Sequence, residues 1–447
     1  MTSKPKIIVL DDDPTGSQTV HSCLLLTRWD TDTLKLGLRD ESPIFFVLTN
    51  TRALTPEQAT AVTREVCHNL KAAIAAENIQ DFLVVSRSDS TLRGHYPVET
   101  DAIAEELGPF DAHFLVPAFF EGGRITRDSV HYLIVDGVET PVHETEFARD
   151  SVFGYRHSYL PDYVEEKTKG RIAAGNVERF LLEEIRTGSL ERLMNLTGNT
   201  CCAVDGETQS DLDKFAADIL TAAGEGKRFL FRSAASILTS LAHLGTQPVA
   251  AEDMAQYVRE GKPGAVIVGS HVKKTTQQLE SLLQAENVVG IEVDIVTLLD
   301  NHPVGSAADP NELRAFLLHQ TLQKIQQAHN AGQTPVIYTS RQEITFDTPQ
   351  TRLKFGADVS ALLMDIVRGL PADIGFLISK GGITSNDVLS TGLAITSARL
   401  LGQILPGCSI VRTPGDHPQF PNLPVVLFPG NVGDADALAT AYRRLSK

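Results

Sequence analysis

Short apolar runs, each broken off by a polar or glycine-rich cluster and alternating with helical stretches, recur along this chain and restrict it to few architectures. Residues 7–10, 44–48, 82–85 and 114–116 are such runs, and residues 56–76 and 99–107 between them carry apolar side chains three or four apart. Thr55 stands where the first of these helices needs an N-cap. Alternation of this kind predicts a mainly parallel, helix-flanked sheet. Residues 132–135 and 138–142 around Asp136-Gly137 depart from it and read as a β-hairpin. Strands at 200–204 and 229–231, with a helix starting near Ser210 or Asp211, complete the first half. Residues 244–264, with Pro248 and Gly261-Lys262-Pro263-Gly264, read as a connection. The pattern then restarts with strands at 265–268, 335–338, 376–378 and 425–428, a helical segment at 387–401 and a last helix at 434–444. The expected fold is α/β in two domains, 1–245 and 265–447, joined by a linker at 246–264. Each has a mainly parallel helix-flanked sheet, with a ligand cleft between them.

A chain of 447 residues exceeds one ordinary core. It lacks the roughly 18 to 20 unbroken apolar residues of a membrane helix, and residues 1–6 lead into a strand without a signal-peptide core. Cys23, Cys67, Cys201, Cys202 and Cys408 form neither a CxxC pair nor a Cys/His ligand spacing, so reduced thiols and a cytoplasmic location are expected. The net charge of −16 argues against nucleic-acid binding, which needs clustered cations. It leaves room for a local basic pocket. No membrane partner is expected, and homo-oligomer formation is left open.

The first strand runs into Asp11-Asp12-Asp13-Pro14-Thr15-Gly16. Three adjacent carboxylates repel one another, so a fold keeps them together where a cation, a metal or polyol hydroxyls compensate; a solvated acidic turn is the other reading. Neighbouring acids are expected to raise the pKa of Asp13, making it a candidate base beside Asp12 and Asp89. A continued strand would send Asp12 to the side opposite Asp11 and Asp13. After the third strand, Arg87, Asp89, Ser90, Thr91 and Arg93 can clamp a carboxylate while bonding a polyol, which suits a small acid sugar. Arg87 and Arg93 are assigned to the carboxylate, and Asp12 or Asp89 to the hydroxyls. Further on, Gly122-Gly123 permits close backbone approach to a ligand and Arg124 and Arg127 add charge; a glycine turn with solvated arginines explains the same residues. The stretch 144–150 lies beyond the hairpin.

In the second half, Ser379-Lys380-Gly381-Gly382-Ile383-Thr384 joins a strand to a helix. Glycines let amides approach an anion, the helix terminus favours negative charge and Lys380 can add a positive one. Neither GxxxxGK[ST] nor GxGxxG is present. Gly269-Ser270 and Gly430-Asn431-Val432-Gly433 occupy equivalent strand-to-helix positions, and three such loops suggest a nucleotide.

At these motifs the chain resembles the four-carbon acid sugar kinase family over nearly its whole length. Asp12-Asp13-Pro14-Thr15-Gly16 is similar to the family's Asp-Asp-x-Thr-Gly element, and Asp89-Ser90-Thr91-Leu92-Arg93-Gly94 to its Asp-Ser-Thr-Leu-Arg-Gly element, the most specific match. Gly269-Ser270, Gly381-Gly382-Ile383-Thr384 and Gly430-Asn431-Val432-Gly433 resemble its C-terminal Gly-Ser, Gly-Gly-x-Thr and Gly-Asn-x-Gly elements. The resemblance implies an N-terminal domain for the acid sugar and a C-terminal domain for ATP, with Ser270, Gly381, Gly382, Ile383, Thr384 and Gly430 contacting ATP. It implies phosphorylation of threonate, erythronate, 3-oxo-tetronate or a related short acid sugar in carbohydrate catabolism. Mg²⁺ is expected with ATP, and with Asp89 and Arg93 beside the acids no residue is assigned to a dedicated metal site. The chain departs from the family pattern at Gln18-Thr19, Arg87, His95 and Ile383. A non-catalytic sugar-acid or nucleotide-binding regulatory protein is the alternative; a dehydrogenase is disfavoured by the missing dinucleotide fingerprint.

Overall fold

A computed structural model describes residues 5–298, 310–341 and 348–447. The chain divides into two units, Met1–Gln247 and Pro248–Lys447. Residues 1–4 of the segment read as leaderless lie outside the described residues.

The first unit contains strands β1 (Lys6–Asp11), β2 (Leu24–Leu26), β3 (Ile44–Leu48), β4 (Phe82–Arg87) and β5 (Ala112–Val116). A small antiparallel sheet of β6 (Arg124–Arg127), β7 (Val130–Val135) and β8 (Val138–Pro141) follows, then β9 (Glu178–Phe180), β10 (Thr200–Val204) and β11 (Phe229–Ser233). The main sheet is ordered β2-β3-β1-β4-β11-β5-β10-β9, and all its pairs are parallel. The strand β3 reads Ile-Phe-Phe-Val-Leu and is buried at every residue, because helices cover both faces of such a sheet. On one face Ile8, Phe45, Val84 and Leu230 pack with Leu34, Val66, Leu70 and Ile103 from the helices Thr31–Arg39, Pro56–Glu77 and Val98–Leu107. Phe114, Phe180, Phe215, Phe229 and Phe231 meet in a second aromatic cluster. The helix Pro56–Glu77 starts as its sequence requires: Thr55 Oγ1 accepts from the Gln58 amide at 3.3 Å, and Gln58 Oε1 accepts from the Thr55 amide at 3.1 Å.

In the second unit β12 (Ala265–Val268), β13 (Val288–Val293), β14 (Thr334–Thr339), β15 (Leu377–Lys380), β16 (Ser397–Leu405), β17 (Cys408–Arg412) and β18 (Pro424–Phe428) are ordered β13-β14-β12-β15-β18-β17-β16. The run from β13 to β18 in that order is parallel, and β18-β17-β16 is antiparallel. The expected helix over 387–401 is replaced. Helical backbone ends at Gly392, and residues 397–405 form β16. Buried Ala398, Leu400 and Ile404 alternate there with less buried Ser397, Arg399 and Gln403, the period of a half-buried strand, with bulges that disguise it.

Among the described residues, no helix is long and apolar enough to cross a membrane. The five cysteines are free and buried. Residues 251–261, within the stretch read as a connection, form short 3₁₀ turns, and Met254 is fully buried in the core of the second unit beside Val266, Phe376 and Leu438. Met254→Ala is therefore expected to destabilise the second unit by about 2 to 5 kcal/mol. Denaturant unfolding checks this; a loss below about 1 kcal/mol would contradict the tight packing of this segment.

Candidate functional site

In the first unit the strand order reverses at β1, which lies between β3 and β4. Ligands of open α/β sheets bind beyond the carboxyl ends of strands at such a point. Asp11 pairs with Arg87, Arg87 with Ser233 and Ser233 with Val116, so four strands end in one row. The three acids begin at that row and take different partners. Asp11 is wholly buried and faces Arg87 Nη1 at 3.3 Å; burial pushes its pKa up to about 7 against the pull of Arg87. Asp12 receives both Nε (3.2 Å) and Nη2 of Arg52, and Ser88 Oγ donates to it at 2.6 Å. Asp13 accepts from Arg52 Nη1 at 3.3 Å and from the Thr15 amide at 2.8 Å.

The compensating groups are thus two guanidiniums. This corrects the expectation for Asp13. Burial alone would raise its pKa, but Arg52, then Arg87 and the Thr15 hydrogen bonds, outweigh burial and hold it below the usual carboxylate range. Arg87, expected to hold a ligand carboxylate, is buried and committed to Asp11.

A second row of contacts continues from Asp12. Arg232 Nη2 donates to Ser88 Oγ at 2.8 Å, and its Nη1 reaches Ser86 Oγ at 2.8 Å and Glu99 at 2.6 Å. Gly94 lies against this network at φ +123°, where a Cβ would fall 2.3 Å from Ser88 Oγ and 2.6 Å from Arg232 Nη2. Only glycine fits both the conformation and the space. Ser88, Asp89, Arg93, Tyr163, Arg232 and Ser233 line a cleft beside it.

The loop bearing Asp89 is pinned from outside itself. His131 Nε2 bonds the Ser90 carbonyl at 2.7 Å, Tyr155 the Thr91 carbonyl at 2.6 Å and Tyr163 the Leu92 carbonyl at 2.9 Å. Because a carbonyl only accepts, Nε2 of His131 carries the proton, and Nδ1 accepts from Thr126 Oγ1 at 2.9 Å. Asp89 accepts from Arg93 Nε at 2.8 Å and from Thr91 Oγ1. Burial opposes its charge, but Arg93, then Arg52, lower its pKa strongly. Arg93 also lies 3.8 Å from Asp150 and stacks over Phe147, so the 144–150 stretch does reach this site. Arg127, in contrast, faces away to Glu139 and Glu207.

Arg124 differs from the other arginines here. Its Nη1 bonds the carbonyl of Gly122, its Nε is buried without a partner, and no acid lies at ion-pair distance among the described residues. Burial lowers its pKa, with Asp89 and Arg93 the nearest charges felt. Arg52 and Arg232 were not singled out in the sequence, although Arg52 follows a strand end as the named clusters do, and Arg232 interrupts an otherwise apolar strand.

In the second unit the order reverses at β12, between β14 and β15. Val268 pairs with Tyr338 and with Lys380, and Lys380 with Phe428, so these strands also end together. The following loops converge. A Cβ on Gly269 would lie 2.3 Å from Thr384 Oγ1, one on Gly381 (φ +123°) 3.1 Å from both Ser270 Cβ and Thr384 Oγ1, and one on Gly430 3.3 Å from Ser270 Oγ. The fold therefore brings Ser270, Gly381, Thr384 and Gly430 together; Gly382 opens the helix Gly382–Asp387, and Ile383 is 66% exposed at its start. Lys380 is not presented to a ligand. It is fully buried over the Phe428 ring, with Nζ on the carbonyls of Pro429 (2.5 Å) and Gly430 (3.3 Å), and burial lowers its pKa to about 7. It braces a loop.

Two family models match the chain: a sugar-binding N-terminal domain over residues 7–241 and a nucleotide-binding C-terminal domain over residues 265–438. The chain is 25% identical to a D-erythronate kinase of Heliobacterium modesticaldum, covering 97% of this chain and 95% of that one. It is 24% identical to a 3-oxo-tetronate kinase of Pectobacterium atrosepticum, covering 99% of each. The crystal structure of Haemophilus influenzae protein HI1011 superposes with a TM-score of 0.64 at 16% identity, covering 98% of this chain and all of that one, which is a likeness of fold.

The buried His131 gives a pH signature. Burial depresses its folded pKa from 6.5 to about 4, so its contribution is present above pH 6.5 and lost as pH falls toward 4. The loss is at most about 3 kcal/mol. Unfolding of the full chain should depend less steeply on pH between these limits in His131→Gln; equal slopes would contradict this coupling.

Proposed function

Since the chain belongs to the four-carbon acid sugar kinase family, we propose that it is an ATP-dependent kinase that phosphorylates a hydroxyl of a short acid sugar. The observation that supports this most is Arg124: a guanidinium with a buried, unpartnered Nε and no acid partner among the described residues, acted on by the charges of Asp89 and Arg93, which line the cleft, in the unit matched by the sugar-binding model. A guanidinium in that state suits a ligand carboxylate. Arg93 lines the same cleft, Ser90 and Thr91 of its loop are assigned to the sugar hydroxyls, and Arg87 serves Asp11.

Asp89, held anionic, accepts from the sugar hydroxyls. It lines the cleft itself, and Asp12 reaches the cleft through Ser88, whereas Asp13 faces Arg52 and Thr15. The proton of the attacking hydroxyl is therefore assigned to Asp89 or Asp12. The residues 1–245 take the sugar acid in this reading, and the loops at Ser270, Gly381-Gly382-Ile383-Thr384 and Gly430 take ATP, their glycines letting backbone amides approach phosphate oxygens. Among the described residues no group of three or more His, Cys, Asp or Glu is placed to cage a metal. Mg²⁺ is assigned to the nucleotide's phosphates, where that ion usually sits in phosphoryl transfer. Phosphoryl transfer depends mainly on position and charge stabilisation, which is what these side chains supply.

A coupled ADP-release assay with threonate, erythronate, their 3-oxo forms and related branched acids should find turnover with at least one. ATP binding without turnover of any would favour the non-catalytic alternative. Arg124→Ala should raise KM for the sugar acid about 10- to 100-fold with ATP affinity nearly unchanged. Gly381→Val should do the reverse, because its side chain meets Ser270 and Thr384 at a φ that valine avoids. Loss of the same ligand by both variants would refute this division of roles.

A further inference from the structure

We propose that Arg341, supported by Lys273 and Lys274, is the charged element of the phosphate site in the second unit, recognising the polyphosphate of a nucleoside di- or triphosphate; this rests on the nucleotide reading above. The converging glycine loops offer amides but no full charge, and Lys380, the cation expected there, is buried on carbonyls. Arg341 follows β14 at the strand-end row, next to β12 and its Gly269-Ser270 loop. Its Nη1 donates to the Ser270 carbonyl at 2.8 Å and its Nη2 to Thr276 Oγ1 at 2.7 Å, both neutral acceptors. Its Nε is buried without a partner, and no acid lies at ion-pair distance among the described residues. Burial lowers the pKa of this guanidinium, with no opposing carboxylate among the described residues. A half-buried cation in that state gains most from an anion.

The neighbouring helix adds to the same imbalance. The helix Lys273–Leu282 begins with two exposed lysines and has no acid in its first turn. Lysines at a helix N-terminus oppose the helix dipole, and neither has an acid partner among the described residues. Thr276, bonded by Arg341, lies in that first turn, and Thr275 Oγ1 lies 3.0 Å from the Gly430 carbonyl. Arg341 thus touches Ser270, and a helix that opens on two lysines starts three residues after it, in a chain of net charge −16. Such an arrangement is unfavourable when empty and favourable around phosphate.

Calorimetric titration of the full chain with ATP, ADP and adenosine tests the assignment. Arg341→Ala should weaken ATP and ADP roughly 10- to 100-fold and leave adenosine nearly unchanged, with Arg341→Lys recovering part of the loss. The exposed double variant Lys273→Gln/Lys274→Gln should weaken ATP less and flatten its salt dependence. Unchanged ATP affinity in folded Arg341→Ala, or an equal loss for adenosine, overturns the proposal. If Arg341→Ala fails to fold, the double variant decides, and unchanged affinity and salt dependence overturn it. Wild-type protein that binds none of the three ligands would instead refute the nucleotide reading, and this proposal with it.

Discussion

Two guanidiniums hold the first unit's acidic strand end together. Asp11, Asp12 and Asp13 sit where β1 ends between two parallel neighbours, and two elements neutralise them: Arg87 from β4 meets Asp11, and Arg52 from the turn after β3 meets both Asp12 and Asp13. Buried charges of one sign are tolerable only with such partners, and removing one partner typically costs about 3 to 5 kcal/mol because the other charge is stranded. The same pairing decides which arginines remain for a ligand. Arg52, Arg87, Arg93 and Arg232 each face a carboxylate, whereas Arg124 has no acid partner among the described residues.

The second unit solves a different problem with different chemistry. Its strand ends carry glycines, a serine and threonines in place of an acid-arginine lattice, and its one buried lysine is spent on main-chain carbonyls. A surface of amides and hydroxyls approaches a large polyanion without repelling it, while the cations stand at the margin, on Arg341 and the start of the helix Lys273–Leu282. The contrast follows from the ligands inferred for each unit. A polyol acid needs acceptors and donors in equal measure, and a polyphosphate needs donors almost alone.

Strands buried on both faces were the most legible part of the sequence, since 7–10, 44–48, 82–85 and 425–428 are unbroken apolar runs cut short by polar residues. The half-buried β16 was not legible: its bulged alternation through Gly402 imitates helical spacing. The placement of Asp89 and Gly381 just beyond strand ends was legible, because each follows an apolar run. Charge allocation was not. Whether Arg87 serves a ligand or Asp11 depends on a pairing across 76 residues, and whether Asp13 is raised or lowered depends on Arg52, 39 residues away; local pattern connects neither.

The pinned loop explains why long-range partners matter to function. Arg93 stands between Leu92 and Gly94, both at positive φ, at the end of the turn that Asp89 opens. His131, Tyr155 and Tyr163 hold three successive carbonyls from 41 to 71 residues away and leave the Asp89 and Arg93 side chains to meet the cleft. Transfer chemistry that works by position gains from side chains whose places are settled before the ligand arrives, because ordering them afterwards would draw on binding energy. The hydrophobic layer that contains Tyr155, Tyr163, Leu133 and Val142 therefore fixes the shape of the cleft as well as the stability of the unit.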